Sequence, residues 1–410
     1  MENIAERLMR YCRIDTTSAE GTVRIPSFDG ERDLAELLKA ELLSMGIEDV
    51  EVTEDCFVFA TLPASEGFEN KKTVGILAHL DTAPDCSGRN VEPQLHRAYD
   101  GGIIRISDDV EIDPEQYPEL LRYVGDDIVT SDGTTLLGAD DKAGISIIMD
   151  TLERLVADSS IRHGRIRIAF TPDEEISVGG ASIFDVDRFG ADFGITVDGD
   201  GIGELNYETF NAFSYTVRIQ GNNIHPAEAK GKMINACTLA MEFDSMLPQL
   251  ERPEYTEGHE GFIHLCEMSG DVETMTMEYI IRDFEKDGLE EKKQKFREAA
   301  EELDRRYGEG RATLTGLAEY SNPRDEIMKA GAVMRICQEA FRQCGIEEKI
   351  TPIRGGTDGS TLAEKGLACV NLFLGGHNYH SCREYVSVNA MMKSSAILTR
   401  IIQLVAEEVK

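Results

Sequence analysis

Long apolar runs are missing from this 410-residue chain. Nowhere do about 18 uninterrupted apolar residues follow one another, which argues against a helix spanning a bilayer. Positive charge is also scarce: 42 Lys and Arg stand against 76 Asp and Glu, a formal net charge of −34. Such a balance disfavours nonspecific attraction to phosphate backbones or anionic lipid, so neither nucleic acid nor membrane is expected as a partner. The nine cysteines are odd in number and contain no CxxC pair, which argues against a disulfide framework or a thiolate zinc site and points to reduced thiols. Neither GxGxxG nor GxxxxGK[ST] occurs at a strand–helix junction, so no nucleotide cofactor is indicated. Residues 1–12, MENIAERLMRYC, read as an amphipathic helix with Ile4, Leu8 and Tyr11 on one side. A charged tip followed by an apolar run is absent there, so no secretory leader and a cytoplasmic location are expected. There is no internal repeat, low-complexity tract or Pro-rich linker.

The remainder has the texture of a folded protein of two or three units, with 41% hydrophobic and 29% charged residues. Leu34, Leu37, Leu38, Leu42 and Met45 recur at helical spacing and stop at Gly46. Short apolar runs then alternate with helical patterns such as Ile145 to Val156: VGILA (74–78), IRIAF (166–170), GITV (194–197) and VNLFL (370–374). This alternation predicts an α/β fold, a mixed and mostly parallel sheet flanked by helices. Between about 208 and 320 the pattern changes to alternating segments (213–221 and 262–284), a helix near 233–247 and an amphipathic helix over 285–307 bearing Phe296, Ala300, Leu303 and Tyr307. A smaller α+β domain, 208–320, is therefore expected as an insertion into a discontinuous main domain, 1–207 and 321–410.

Each of the four apolar runs is followed at once by a polar cluster, and ligands of open α/β sheets collect at the carboxyl ends of strands. In HLDTAPD, His79 and Asp81 alternate onto one face, the arrangement of a metal ligand and the carboxylate that orients it. GADDKAG (138–144) places Asp140 and Asp141 at a turn into a helix starting near Lys142, where one can cap the helix and the other point outward. TPDEE (171–175) sets three acids in a row after a buried strand, costly without a compensating cation. TVDGDG adds Asp198, and GGHNYHS adds His377 and His380. Any one of these acids is better read as solvated; five clusters at strand ends point jointly to a site. Imidazole and carboxylate without thiolate suit zinc, cobalt or manganese in a hydrolytic centre.

Taken in order, HLDTAPD, GADDKAG, TPDEE, TVDGDG, NNIHPAEAKG (222–231), IIRDF (280–284), PIRGGTDGS (352–360) and GGHNYHS resemble the M20 metallopeptidase family, and within it the tripeptide aminopeptidases. The likeness covers essentially the whole chain. It implies two Zn2+ per subunit, with Co2+ or Mn2+ as substitutes, and tripeptide substrates. His79 and Asp198 would hold one metal, Glu175 and His380 the other, and Asp140 both. Asp81 would orient His79, and Glu174 would be the general base. The inserted domain would be a lid that also pairs two subunits into a homodimer. Its His225 would stabilise the oxyanion, and Arg282 and Arg354 would clamp the substrate carboxylate. Two departures from the family pattern are Ala227 and Glu228 after the lid histidine, and His377 where an aromatic residue is expected. The alternatives are an M20 hydrolase of dipeptides or N-acyl amino acids and, from another class, a non-catalytic metal- or peptide-binding protein.

Overall fold

The four apolar runs become four neighbouring strands. In the computed structural model, which describes residues 2–176 and 179–408, the strands of the two large sheets are numbered here in chain order. They are β1 (Asp49–Val52), β2 (Val58–Leu62), β3 (Val74–His79), β4 (Ile166–Thr171), β5 (Phe193–Gly199) and β6 (Glu204–Asn206), then β7 (Asn211–Gln220), β8 (Phe262–Gly270), β9 (Thr274–Asp283) and β10 (Ala312–Tyr320), and finally β11 (Lys349–Ile350) and β12 (Cys369–Phe373). The first sheet runs β1-β2-β4-β3-β5-β12-β6-β11. Its centre, β4-β3-β5-β12, is parallel throughout, while β1, β2 and β6 add antiparallel pairings. The mixed α/β architecture expected from the sequence is the one observed.

Central parallel strands are apolar on both faces because helices cover both. Ile76, Ile168, Ile195 and Val370 point into a large core shared with the helices Ala139–Ala157 and Val388–Glu407. Their neighbours Leu77, Ala169 and Cys369 point the other way, against Phe184 and Leu362. The helix Gly30–Ser44 buries Leu34, Leu38 and Leu42. It ends where Gly46 turns left-handed (φ +88°) and Ile47 N–H donates back to the Leu42 carbonyl at 3.1 Å.

Backbone contacts divide the chain into one unit of residues 1–207, 325–351 and 357–410 and a second of 208–324 and 352–356. The second unit is an antiparallel sheet, β8-β9-β7-β10, with the helices Ala236–Met246 and Lys286–Tyr307 over one apolar face. On the longer helix the buried stripe is Phe296, Ala299 and Leu303, with Ala300 and Tyr307 at its flank. Strand β10 sits at the sheet edge and is largely exposed, so it lacks the alternation that marks its neighbours. Residues 352–356 join this unit because Ile353 N–H donates to Glu208 O (3.0 Å) and Phe210 N–H to Gly355 O (3.3 Å).

A further small sheet lies in the first unit, with Gln94–His96, Ile128–Thr130, Tyr385–Ser387 and Gly376–His377 paired in that order. It anchors both ends of the loop that carries His380. All nine cysteines are free; Cys12, Cys56, Cys337 and Cys369 are buried and Cys266 is exposed.

Candidate metal centre

Side chains from the carboxyl ends of β3, β4, β5 and the loop beyond β12 converge on one another. His79 closes β3 with its ring 2% exposed. Its Nδ1 faces Asp81, 3.1 Å from the carbonyl oxygen and 3.2 Å from Oδ1, while Nε2 faces Asp140 Oδ1 at 2.8 Å and Asp198 Oδ1 at 3.6 Å. Burial pulls the His79 pKa down, but the hydrogen bonds from Asp140, Asp198 and Asp81 outweigh it and hold the ring well above its ordinary value.

Asp81 is fully buried and has a second task. Its Oδ1 accepts the N–H of Glu174 (2.9 Å), and its Oδ2 accepts the N–H of Glu175 (3.0 Å) and the Ser18 hydroxyl. One carboxylate thus fixes both the imidazole and the backbone of the TPDEE segment.

The two adjacent aspartates divide the work. Asp141 Oδ1 accepts Gly144 N–H and Oδ2 accepts His79 N–H, both at 3.1 Å, so Asp141 caps the helical turn beginning at Lys142. Asp140, across a cis peptide from it, turns its oxygens outward: Oδ1 to His79, and Oδ2 toward His380 Nε2 at 3.6 Å. Burial alone would raise the Asp140 pKa, but the imidazoles of His380 and His79 hold it below the usual carboxylate value.

Glu175 Oε2 lies 3.0 Å from His380 Nε2. Its Oε1 is buried with no hydrogen-bond partner. His380 is the open side of the cluster, with a side chain 42% exposed and Nδ1 3.5 Å from Asp85. Asn378 and His380 are both left-handed (φ +58° and +59°), a conformation unusual outside glycine.

Ligand-type atoms of His79, Asp141 and Asp198, and of His79, Asp140 and Glu175, lie within 4.8 Å of one another. Asp141 in the first group already spends both oxygens on backbone N–H groups, so Asp140 is the better donor to a cation. Two observations say that divalent metal fits: the donors are imidazole and carboxylate, and Glu175 keeps a buried unpartnered oxygen. Burial, then repulsion from Asp140, pushes Glu175 up to about 7 and Asp198 up to about 8. Glu174 is raised well above its ordinary value, chiefly by burial.

Two supporting residues escaped sequence reasoning. Asn371 in β12 brackets Asp198, accepting its N–H at 3.1 Å and donating to its carbonyl at 3.0 Å; a lone amide within VNLFL was the available signal. Glu384, 1% exposed, accepts the N–H groups of Leu137, Gly138 and Asp140 at 2.8, 2.7 and 3.1 Å, and nothing in CREY announced it. His377 stands apart from the cluster: its Nε2 is hydrogen-bonded to Tyr123 Oη at 2.8 Å, and the ring packs between Tyr123 and Tyr385.

The other expected site residues lie in the second unit. His225 is exposed, and its Nδ1 accepts Ala227 N–H at 3.2 Å, which leaves the proton of the neutral ring on Nε2. Both arginines expected as clamps are already engaged. Arg282 donates to the carbonyls of Phe213 and Ile281 and pairs with Glu319 at 2.6 Å. Arg354 donates to the carbonyls of Gly258 and Glu260 at 2.8 Å and to Thr256 Oγ1 at 3.0 Å, over the rings of Phe210 and Phe262. Such bonding ties a loop together, a role the sequence did not reveal.

Residues 132–404 match the family described as peptidase family M20/M25/M40. The chain belongs to this family. It is 46% identical over 408 residues to Peptidase T of Clostridium perfringens (strain 13 / Type A), covering 100% of both chains. Among solved structures, it resembles the aminopeptidase PepT of Bacillus cereus ATCC 10987, with a TM-score of 0.78, 22% identity and 98% of each chain covered. A tripeptidase of Staphylococcus aureus subsp. aureus mu50 superposes with a TM-score of 0.78 and 22% identity, over 99% of this chain and 98% of that one. These two likenesses carry the fold. Among the described residues, no helix is long and apolar enough to cross a membrane.

Proposed function

We propose that this peptidase is a dizinc aminopeptidase that removes the N-terminal residue of tripeptides. The observation that carries the reading is the opposed aim of Asp140, with one oxygen toward His79 and the other toward His380. His79, Asp140 and Asp198 would hold one zinc, and Asp140, Glu175 and His380 the other, with cobalt or manganese as substitutes. Such cations supply Lewis acidity, lowering the pKa of a water toward about 7 and polarising a peptide carbonyl.

The chain's own residues do the rest. Glu174 accepts the proton of the attacking water and returns it to the departing amine, a role its raised pKa would suit once a neighbouring positive charge offset part of the burial. Asp81 keeps the His79 ring and the Glu174 backbone in register with each other. His225, whose neutral ring carries its proton on Nε2, is the donor assigned to the oxyanion. The second unit is assigned as lid and as the pairing surface of a homodimer, supported by its exposed edge strand β10. The cytoplasm is the assigned compartment.

Mass spectrometry of the products from a matched panel tests the substrate: a free tripeptide, its dipeptide and tetrapeptide relatives, and N-blocked versions. Loss of the N-terminal residue from the free tripeptide alone, stopped by chelation, is the expected result. Preference for dipeptide or N-blocked substrates would instead make this an M20 hydrolase of another specificity, with Ala227 and Glu228 the first positions to exchange.

A further inference from the structure

Glu384 is a buried carboxylate to which the mechanism above gives no part. It lies four residues beyond His380, immediately before the strand Tyr385–Ser387 that pins the loop to Ile128–Thr130. Its Oε2 accepts two N–H groups, from Leu137 and Gly138, and its Oε1 accepts that of Asp140. Three donors within four residues of one turn, Leu137, Gly138 and Asp140, thus close on one anion, as backbone N–H groups do around bound anions in general. The turn they form carries Asp140, and the loop that supplies the anion carries His380. A single side chain therefore ties together two elements that the sequence separates by 240 residues.

Resting on the assignment of Asp140 and His380 as metal ligands, we propose that Glu384 is the positioning residue that sets the outward aim of Asp140 and its spacing from His380. The argument is one of hydrogen-bond chemistry. Only a carboxylate offers acceptors on both arms. An amide of the same shape must turn its NH2 toward at least one N–H donor, and that clash frees part of the turn. The one remaining oxygen serves the Leu137 and Gly138 N–H groups that share an arm, so the freed part is the Asp140 end, while Asp141 keeps its own backbone partners. Losing such an outer partner costs metal affinity about ten- to a hundredfold in comparable sites.

Glu384→Gln tests this in the full chain, titrated with Zn2+ against a chromophoric chelator alongside the parent, with circular dichroism, kcat and KM followed in parallel. Expected are a native spectrum, a Zn2+ dissociation constant raised about ten- to a hundredfold, and a fall in kcat with KM little changed. A folded Glu384→Gln that binds Zn2+ and turns over as the parent does would overturn the proposal. Should Glu384→Gln fail to fold, Glu384→Asp, which keeps both acceptors but withdraws them by one methylene, is read in the same way. Failure of both to fold would make Glu384 a general structural residue and also overturn it. A parent chain that binds no Zn2+ would instead strike at the metal assignment itself, so the two failures are told apart.

Discussion

His79, Asp140 and Glu174 show how far single residues can be understood from their surroundings. Each is polar, buried or half-buried, and charged in one protonation state, a combination that is costly unless partners compensate. For Glu174 the account predicts that Glu174→Ala keeps the fold and bound zinc but loses about 10² to 10⁴ in turnover, the usual worth of a general base. Metal analysis and kcat on one preparation check this, and near-parent turnover would place the base elsewhere. His377 gives a pH prediction away from the metal ligands. Burial pushes its pKa down to about 4 from 6.5. The folded state therefore binds fewer protons than the unfolded one. Its contribution is complete above about pH 6.5 and is lost as pH falls toward 4, by up to about 3 kcal/mol. His377→Phe should flatten that part of the stability profile between pH 6.5 and 4 in urea unfolding; an unchanged slope would contradict the assignment.

At the scale of elements, the parallel centre of the sheet was legible because strands buried on both faces must be apolar throughout, and VGILA, IRIAF, GITV and VNLFL are. The clusters after them were legible for the same reason, since polar residues directly after a buried strand stand out. Adjacent aspartates were not separable in this way: Asp140 and Asp141 differ in backbone conformation, which their neighbours in sequence do not encode. The hold of Glu384 on the Asp140 turn also spans too much chain to show as a local pattern. Edge strand β10 escaped because exposure removes the alternation on which strand reading depends. Arg354 was read for its chemistry alone, whereas its surroundings make it a tie between residues 352–356 and 256–260. Arg354→Ala should accordingly destabilise the protein by about 2 kcal/mol in urea unfolding. Unchanged stability, with KM raised for a free tripeptide but not for its C-terminal amide, would return Arg354 to carboxylate recognition.

Over the whole molecule, a net charge of −34 is borne by a fold that gathers several of its acids at one end of one sheet. Most of the remaining charge is solvated or paired at the surface, where its worth is small. The clustered part differs because burial and mutual repulsion act together, and a divalent pair would relieve both. The most direct test of this account is anomalous diffraction at the zinc edge from crystals grown with Zn2+. Two peaks flanking the Asp140 carboxylate, one beside His79 and Asp198 and the other beside Glu175 and His380, are the predicted result. A single peak, or zinc held by other residues with this cluster empty, would contradict it.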